Sequence, residues 1–407
     1  MKLAAPTAQP WLEPSRYWPS LSAATADLDT PFGVVSVSAL AYNAHDMLRR
    51  ANGTTIRVAS KSIRVRGVID AVLELPGYHG VLAYTLPEAL WLAETIDDVV
   101  VGYPSVDRAA IETLGRSEKL ARRVTLMVDS VEQLDLVDAV LGSKREVIRV
   151  ALELNASWRS KLLGYLGVYR SPVQNVADAV ALGRAIVARP GFQLVGMMAY
   201  EAQVAGVANH PVGKPILART VNYVQKNSTV ELHKRRGAVV AALREIADLE
   251  FVNGGGTGSL ERTASDLSVT EIAAGSGLFG PHLFDDYSHF QPAPAAAFSL
   301  SVVRKPRPDM ATLLGGGWIA SGPPAPDRMP TLAWPEGLEY VAREAAGEVQ
   351  SPLRGPAAAT LSVGDRVWLR HTKAGELSEH LNEFAVVDDG HIVETMPTYR
   401  GEGKAFL

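Results

Sequence analysis

The 407-residue sequence contains no cysteine. That absence excludes disulfide bonds, thiolate metal sites and a cysteine nucleophile, and it is consistent with a reducing compartment. The chain also lacks a strong charge of either sign, because 40 Lys and Arg residues stand against 44 Asp and Glu residues for a net charge of −4. Such a balance gives no electrostatic reason to expect nucleic acid or an anionic membrane as a partner.

A long apolar segment is missing as well. No apolar run approaches the roughly 18–20 residues that are needed to span a bilayer. Near the N-terminus, Pro6, Pro10 and Pro14 interrupt the region in which a signal peptide would need a continuous apolar stretch. We therefore expect a soluble, cytoplasmic protein that binds neither nucleic acid nor a membrane.

Short apolar runs alternate with helical patterns through the first two thirds of the chain. The runs are apolar on nearly every position, which is typical of buried parallel strands. Eight strands that alternate with helices predict an α/β fold of the (β/α)8 TIM-barrel type, with an open doubly wound sheet as the alternative. The eight runs span residues 54–60, 80–84, 98–102, 123–128, 147–154, 193–200, 249–255 and 268–275.

One of the intervening helices carries clear boundary signals. Residues 130–142 open with Ser130, and Gln133 follows at the position that a capping box prefers. Gly142 is placed to end the helix.

The residue pattern changes after residue 290, where proline-rich and strand-like segments replace the alternation of apolar runs and helical patterns. A chain of this length is a natural size for two domains. We predict a TIM-barrel domain at 31–290 and a β-rich C-terminal domain at 291–407. Residues 1–30 do not look barrel-like, and we expect them to pack on the β domain.

Lys61 is the first candidate functional residue. It follows the first apolar run, and the catalytic residues of TIM barrels lie at the C-terminal ends of the strands. An amine at that position could form an imine with an aldehyde cofactor. The alternative is a solvated lysine that begins the next helix.

Two glycine-rich turns follow the seventh and eighth runs, at 253–258 ("NGGGTG") and 274–277 ("AGSG"). Glycines let backbone N–H groups approach a phosphate, and this is the usual phosphate location in a TIM barrel. Neither turn has the pattern of a dinucleotide fingerprint or a Walker loop. We therefore predict a phosphate site, with purely structural turns as the alternative.

Several other side chains follow predicted strands. Tyr200 ends the sixth run and could face a cofactor ring or simply fill the barrel mouth. Asn155 and Arg159 follow the fifth run, and Arg170 lies further along the same loop. An arginine at a strand end can bind a substrate carboxylate or a cofactor phosphate, although a surface ion pair is the alternative for each.

A polar cluster lies at 370–380, near the end of the chain. Glu376 and His380 are four residues apart and would share one face of a helix. A metal pair is one interpretation of this spacing, and an exposed charged helix is the other.

The order of these features resembles that of the fold-type III pyridoxal 5'-phosphate (PLP) enzymes related to alanine racemase. More narrowly, it is similar to the D-threonine aldolase and D-serine dehydratase branch. The resemblance depends on the strand-end lysine, an Ala-Tyr pair at a later strand, the "GGGTG" turn and the hairpin-like "DDGHIVETMP". It covers about residues 30–400.

In that family, a lysine after a short strand forms the Schiff base with PLP, and Lys61 in "RVASKS" matches it. The family motif there is similar to Arg-Pro-His-x-Lys-Thr. Arg57, Lys61 and the hydroxyl of Ser62 keep this pattern, while the Pro and the His are absent. Tyr200 matches a tyrosine that lies near the pyridine nitrogen.

The two phosphate-binding turns of the family also have counterparts in this chain. The matching residues are Gly255, Gly256 and Thr257 in the first turn and Gly275 and Ser276 in the second. One position differs, because Gly277 stands where the family has a tyrosine.

The metal site of the family is altered here. Its aldolases and dehydratases use a His-x-Asp or His-x-Cys pair to bind a metal that activates the substrate β-hydroxyl. The matching stretch is His371-Thr372-Lys373, with a lysine in place of the second ligand. The lysine puts the divalent metal in doubt, and we assign none. We expect His371 to act as an acid or base and Lys373 to supply positive charge, unless Glu376 or His380 replaces the missing ligand.

Together, the resemblance implies a PLP-dependent lyase, with Lys61 as the Schiff-base residue, that acts on a D-amino acid. Aldol cleavage of a β-hydroxy amino acid and its dehydration are both open. The alternatives are an amino-acid racemase, a non-catalytic PLP-binding protein, and a barrel enzyme that binds a phosphorylated sugar without PLP. By analogy with the family, we expect a homodimer.

Overall fold

The computed structural model describes residues 1–373 and 375–407 of the chain. Two sheets dominate it, a closed barrel and a larger mixed sheet, with a small two-stranded hairpin beside the barrel. The strands are β1 (Phe32–Ser36), β2 (Thr55–Ala59), β3 (Tyr78–Ala83), β4 (Val99–Val101), β5 (Val124–Val128), β6 (Ile148–Glu153), β7 (Trp158–Ser160), β8 (Gly164–Leu166), β9 (Phe192–Ala199), β10 (Phe251–Gly254), β11 (Glu271–Ala274), β12 (Ala296–Arg304), β13 (Met310–Leu314), β14 (Thr331–Trp334), β15 (Glu339–Tyr340), β16 (Gln350–Arg354), β17 (Arg366–Arg370), β18 (Glu383–Asp388) and β19 (His391–Pro397).

The helices alternate with the barrel strands and become rare after residue 290. They are α1 (Pro14–Ala24), α2 (Val37–Ala51), α3 (Arg66–Leu73), α4 (Leu86–Leu92), α5 (Arg108–Gly115), α6 (Glu118–Arg123), α7 (Val131–Leu141), α8 (Val176–Val187), α9 (Ala202–Ala205), α10 (Pro215–Arg244), α11 (Leu260–Ala264), α12 (Ser276–Phe279), α13 (Pro356–Thr360) and α14 (Glu376–Glu379). Through residue 373 and again from 375 onward, no helix is both long and apolar enough to cross a membrane.

The barrel confirms the predicted (β/α)8 fold. Its eight strands run parallel in the order β2-β3-β4-β5-β6-β9-β10-β11, and β11 pairs with β2 to close the ring. Each of the eight apolar runs forms one of these strands. Their side chains are almost entirely buried because helices cover the outside and packed side chains fill the inside.

Helix α7 shows how local sequence sets an element's boundaries. Ser130 is its N-cap, and the backbone N–H of Ser130 donates to Gln133 Oε1 at 3.3 Å, as a capping box requires. Gly142 ends the helix with φ 63°, a conformation that glycine adopts without steric cost. The predicted helix boundaries are therefore confirmed.

The mixed sheet is built mostly from the C-terminal third of the chain, in the order β15-β16-β13-β12-β1-β18-β19, with β17 joining β12 to β14. Its central strand β1 comes from residues 32–36, antiparallel to β12 and parallel to β18. Helix α1 covers this sheet through Trp18, which lies 5.8 Å from the ring of Trp368. The division into three segments stays a prediction, but the strand at 32–36 lies in the mixed sheet and not in the barrel.

A charged network lies inside the barrel, at the end where the strands begin. Arg57 is 1% exposed, and its Nε and Nη2 donate to the two carboxylate oxygens of Glu271 at 2.7 and 2.8 Å. Nη2 also donates to Asp98, and Asn253 donates to Glu271. The guanidinium therefore ties β2 to β11 across the closing seam of the barrel.

We expect Arg57→Met to lower the free energy of unfolding by about 3–5 kcal/mol, because it leaves the carboxylate of Glu271 buried without its partner. Urea denaturation followed by circular dichroism measures the change. Arg307→Met is the matched control: its pair with Asp309 is solvent-exposed, so we expect a change within about 0.5 kcal/mol. Equal losses in the two variants would contradict a structural role for the network.

Candidate active site

The C-terminal ends of the barrel strands converge on Lys61. This residue lies in a single 3-10 turn, Ser60–Ser62, directly after β2. Its Nζ lies 3.3 Å from the hydroxyl of Tyr103, which follows β4. Both side chains are partly buried, so the amine lies at the mouth of the barrel, where an incoming molecule can reach it.

Arg170 connects Tyr103 to the opposite side of the mouth. Its guanidinium carbon lies 5.1 Å from the ring centre of Tyr103 and 4.9 Å from that of Tyr200, which follows β9. Its Nη1 is 3.9 Å from the carboxylate of Glu153, the last residue of β6. The structure therefore brings Lys61 and Tyr200 to one site, and Arg170 lies between Tyr103 and Tyr200.

The electrostatics of the mouth follow from this arrangement. Burial raises the pKa of Tyr103, but the positive charges of Lys61 and Arg170 outweigh it, and the net shift is downward. Burial raises the pKa of Glu153 to about 7, although the charge of Arg170 opposes that shift. The site thus holds a phenol that loses its proton more readily than usual and a carboxyl that retains its proton longer than usual.

The two glycine-rich turns meet beside the mouth. Thr257 Oγ1 accepts a hydrogen bond from the backbone N–H of Gly277 at 3.1 Å and one from Ser276 Oγ at 3.3 Å. Each turn begins a short helix, Thr257–Ser259 or α12, and the first N–H groups of a helix have no partner within it. Such N–H groups and hydroxyls are suited to an anion.

The glycines keep this place open. A Cβ on Gly256 would lie 3.1 Å from Ala205 Cβ and 3.5 Å from the ring of Tyr200, and one on Gly277 would lie 2.6 Å from Thr257 Cγ2. A side chain at position 256 would therefore crowd Ala205 and Tyr200, and one at position 277 would collide with Thr257 and Met47. The two turns pack closely together, and the cradle that they form borders the tyrosine on the side of Gly256.

Glu201 fixes the first turn from behind. Its buried carboxylate accepts hydrogen bonds from the backbone N–H of Gly255 at 2.9 Å and from Thr263 Oγ1 at 2.7 Å. The fully buried Arg236 lies 3.4 Å from the same carboxylate. Gly255 itself has φ +73°, so the turn requires a glycine at that position.

The turn that carries Lys61 contacts C-terminal segments that adjoin the mixed sheet. Arg64 adopts φ 55°, which is unusual for a residue with a side chain. Its Nε donates to the Lys61 carbonyl at 3.1 Å, its Nη1 pairs with Glu379 at 2.5 Å, and its own carbonyl accepts from the Tyr399 N–H at 2.8 Å. A Cβ on Gly375 would collide with the Lys61 carbonyl oxygen, so the two segments are in direct contact.

His371 lies away from the open mouth. It is 4% exposed, its ring meets Phe279 edge-on at 6.3 Å, and neither ring nitrogen has a hydrogen-bond partner among the described residues. Burial lowers its pKa to about 3, helped by the charge of Arg370. His371 is therefore a buried imidazole whose neutral form is favoured, and its role as an acid or base stays a prediction.

Lys373 is half-buried on the same segment. Burial lowers its pKa, and the positive charges of Arg328 and Lys61 lower it further, while Glu376 opposes them. Lys373 is therefore close enough to Lys61 for their charges to interact. This placement is compatible with its predicted role as a source of positive charge.

Arg159 lies apart from the glycine turns. It sits on the β7–β8 hairpin, is exposed, and donates from Nε to Gln174 at 3.2 Å. It shares a cavity of about 480 Å³ with Arg170, so any contact with a ligand would come from the hairpin side of the mouth and not from the phosphate cradle. The cavity is lined by Asn155, Arg159, Tyr165, Tyr169, Arg170, Ser171, Pro172 and Gln174.

The residues considered as substitute metal ligands are engaged elsewhere. Glu376 accepts hydrogen bonds from the backbone N–H and hydroxyl of Ser321, both at 3.1 Å. The His380 ring stacks on Trp318 with centres 4.8 Å apart. Outside residue 374, no group of three or more His, Asp or Glu side chains is arranged to hold a metal ion.

Sequence reasoning missed Tyr103, Glu153 and Glu201 as members of the site. A signal for Tyr103 was present, because "VGYPS" places it directly after the third apolar run, at a strand end. Glu153 lies inside the fifth run, where its charge among apolar neighbours was a comparable signal. Arg170 was noted, but its position between two tyrosines depends on a loop that the sequence did not define.

Comparison with known proteins gives a consistent family. The model of the "Alanine racemase, N-terminal domain" family matches residues 35–282, more than half of the chain. A D-threonine aldolase from an Arthrobacter species is 24% identical over 317 residues, which cover 74% of this chain and 76% of the relative. A 3-hydroxy-D-aspartate aldolase from Paracoccus denitrificans (strain Pd 1222) is 25% identical over 264 residues, covering 62% of this chain and 61% of the relative.

Solved structures share the fold over nearly the whole length. The D-threonine aldolase from Filomicrobium marinum aligns with a TM-score of 0.74 at 21% identity, covering 92% of this chain and 96% of that one. The D-threo-3-hydroxyaspartate dehydratase from Delftia sp. HT23 aligns with a TM-score of 0.70 at 18% identity, covering 91% and 98%. The barrel and the mixed sheet are therefore common to all three chains.

The strained conformation of Arg64 leads to a test of the Lys61 turn. Arg64→Ala and Arg64→Gly both remove the side-chain contacts, but only alanine retains a Cβ at positive φ. We expect the glycine variant to be more stable than the alanine variant by about 1 kcal/mol in urea unfolding. Arg184 is an exposed position inside α8, and there we expect the alanine variant to be more stable than the glycine variant by about 1 kcal/mol. Equal stabilities at position 64 would contradict the left-handed backbone.

Proposed function

The chain belongs to the alanine racemase N-terminal domain family, and on that basis we propose that it is a PLP-dependent lyase acting on a β-hydroxy D-amino acid. Its named relatives are aldolases and a dehydratase for such amino acids. The observation that carries the proposal is the position of Lys61 at the barrel mouth, next to a glycine-lined cradle for an anion. We also propose, by analogy with the family, a homodimer in the cytoplasm.

The residues of the site fit PLP. Gly256 leaves free the space beside Tyr200 that a Cβ would enter, and the hydroxyls of Thr257 and Ser276 meet where the two turns come together. Tyr200 lies against the same space, and the amine of Lys61 stands at the mouth. An anion cradle, an aromatic side chain and a strand-end amine match the phosphate, the ring and the aldehyde of this cofactor.

Lys61 would hold the cofactor covalently, and the two turns would hold its phosphate. When bound, PLP supplies an electrophilic carbonyl for the substrate amine and a ring that stabilises negative charge on Cα. Once its amine is free, Lys61 can take or give a proton at Cα. Arg170 and Lys373 add positive charge near the mouth, which favours the substrate carboxylate.

Racemisation finds less support in this geometry. A racemase needs a second acid or base on the face opposite the lysine, and Tyr340 and Tyr399 are the tyrosines of the C-terminal region that could supply one. The Tyr399 hydroxyl donates to Glu88 at 2.9 Å and the side chain is 1% exposed, while the Tyr340 hydroxyl donates to the Pro330 carbonyl at 3.0 Å. Both hydroxyls therefore already donate hydrogen bonds within the chain.

A divalent metal of the kind that the family resemblance implies does not fit the residues at 371–373. The histidine is sealed against Phe279, and the expected second ligand is a lysine flanked by other cations. An ammonium group donates hydrogen bonds and cannot coordinate a cation. We therefore derive no step through a metal.

Lys61→Ala tests the cofactor assignment. We expect the purified variant to lack the visible absorbance band of bound PLP and to lose all turnover, because the covalent link and the proton carrier disappear together. Lys144→Ala, which changes an exposed lysine far from the mouth, should keep both. A Lys61→Ala protein with the visible band of the wild type would overturn the assignment.

Chelation tests the altered metal site. We expect turnover of D-threonine or 3-hydroxy-D-aspartate to persist after dialysis against EDTA, since the cations around Lys373 disfavour a bound divalent ion. Elemental analysis of the same sample provides a second readout. Activity that is lost on chelation and restored by one divalent ion would show this prediction wrong and would direct attention to Glu376 or His380.

A further inference from the structure

We propose that Tyr103 is the base that removes the proton from the substrate β-hydroxyl, and that the reaction is therefore an aldol cleavage. The proposal rests on the proposed function and adds to it a catalytic residue and a choice between two reactions. Nothing in the resemblance or in the comparisons assigns a role to this tyrosine. Its support comes from contacts and charges at the barrel mouth.

The first argument is distance. The Tyr103 hydroxyl lies 3.3 Å from Lys61 Nζ, the atom that would move protons at Cα. The β-hydroxyl of a β-hydroxy amino acid is separated from Cα by a single carbon atom. A group that contacts the Cα acid–base residue is therefore also within reach of the β-hydroxyl, in keeping with the short distances that proton transfer requires.

The second argument is charge. Three side chains from other strand-end segments face the tyrosine: Lys61 after β2, Arg170 from the loop after β8, and Tyr200 after β9. Glu153, at the end of β6, reaches Arg170. The two cations stabilise the phenolate form, and their effect exceeds that of burial, so the pKa of Tyr103 is lowered. A base with a perturbed pKa in a cleft is a typical catalytic group.

The other titratable side chains near the mouth are less suitable. His371 is sealed behind Phe279. Glu153 is 3% exposed, and its carboxylate lies 3.9 Å from Arg170. Lys373 is a cation and accepts a proton only in its neutral form. Tyr103 is the described side chain that combines access to the mouth with direct contact to Lys61.

The reaction balances with these two residues. The Tyr103 phenolate takes the β-hydroxyl proton, the C–O bond becomes a carbonyl, and the Cα–Cβ bond breaks with its electron pair left on Cα. An aldehyde leaves. The Lys61 ammonium, which stabilises the phenolate, delivers a proton to Cα to give glycine. Tyr103 then passes its proton to the resulting Lys61 amine across their hydrogen bond, which restores the phenolate and the ammonium. One proton leaves oxygen and one reaches carbon, so no further reactant is needed.

Dehydration places the opposite demand on this residue. Loss of water requires a proton to be given to the departing hydroxyl, and it leads to a keto acid and ammonia in place of an aldehyde and glycine. A tyrosine flanked by two cations is stabilised as a base, which favours the first outcome. Product analysis therefore tests the inference independently of mutagenesis.

The experiment uses the purified, PLP-loaded protein with D-threonine and 3-hydroxy-D-aspartate as probes. We expect Tyr103→Phe to keep the visible cofactor band while kcat falls by about 100- to 1,000-fold, the range of a single general base. The KM should change much less, and the rise of kcat/KM with increasing pH should disappear. Tyr223→Phe, a half-exposed tyrosine on α10, is the matched control and should leave all these values unchanged.

A Tyr103→Phe protein with wild-type kcat and pH profile would overturn the proposal, and so would ammonia and keto acid as the main products of the wild type. If Tyr103→Phe fails to fold, 3,5-difluorotyrosine at position 103 provides the alternative. Its phenol is more acidic, so the rise of kcat/KM with pH should occur at lower pH. A pH profile that does not shift in that variant would also overturn the role of Tyr103 as the base. Absence of a visible band or of any turnover in the wild type would instead contradict the proposed function itself.

Discussion

The barrel closes where β11 pairs in parallel with β2, from Glu271 opposite Thr55 to Ala274 opposite Val58. This seam joins the first and last barrel strands, which are more than 200 residues apart in the chain. The Lys61 turn follows β2 and the Gly275 turn follows β11, so closure makes them neighbours. The contact is close enough that a Cβ on Gly275 would collide with the Ala59 carbonyl oxygen.

The seam is tied at one end by an ion pair, and the candidate active site lies at the other end. Arg57 and Glu271 pair inside the barrel where these strands begin, with strong hydrogen bonds between two buried charges. Lys61 and Ser276 lie at the opposite end. A barrel of this type keeps its stabilising contacts at the bottom and its chemistry at the top, and this chain follows that separation.

The mixed sheet supports the Lys61 turn and does not form the glycine turns. Its last segments hold Arg64 through Glu379 and Tyr399, and Arg64 in turn holds the Lys61 carbonyl. The same region carries Lys373, whose charge interacts with those of Lys61 and Arg328. Lys61, Lys373 and Arg170 thus add positive charge near the mouth, which would favour an anionic ligand.

Much of the fold was readable from local sequence. The eight strands were predicted because burial on both faces leaves continuous apolar runs, and α7 was bounded by Ser130 and Gly142 because caps are local chemistry. The strand-end rule also singled out Lys61 and the glycine turns, because their placement needs only the order of elements along the chain.

Contacts between distant segments were decided by the tertiary structure alone. The sequence did not place β1 in the mixed sheet, since its pairing with β12 and β18 is set by segments more than 250 residues away. The burial of His371 and its edge-on contact with Phe279 also come from packing that the sequence does not show, and its catalytic role stays a prediction. The contact between Tyr103 and Lys61, and the position of Arg170 beside it, arise from strand ends that meet only when the ring closes. Local patterns specify which residues end the strands, whereas the closure of the barrel determines which of those ends face one another.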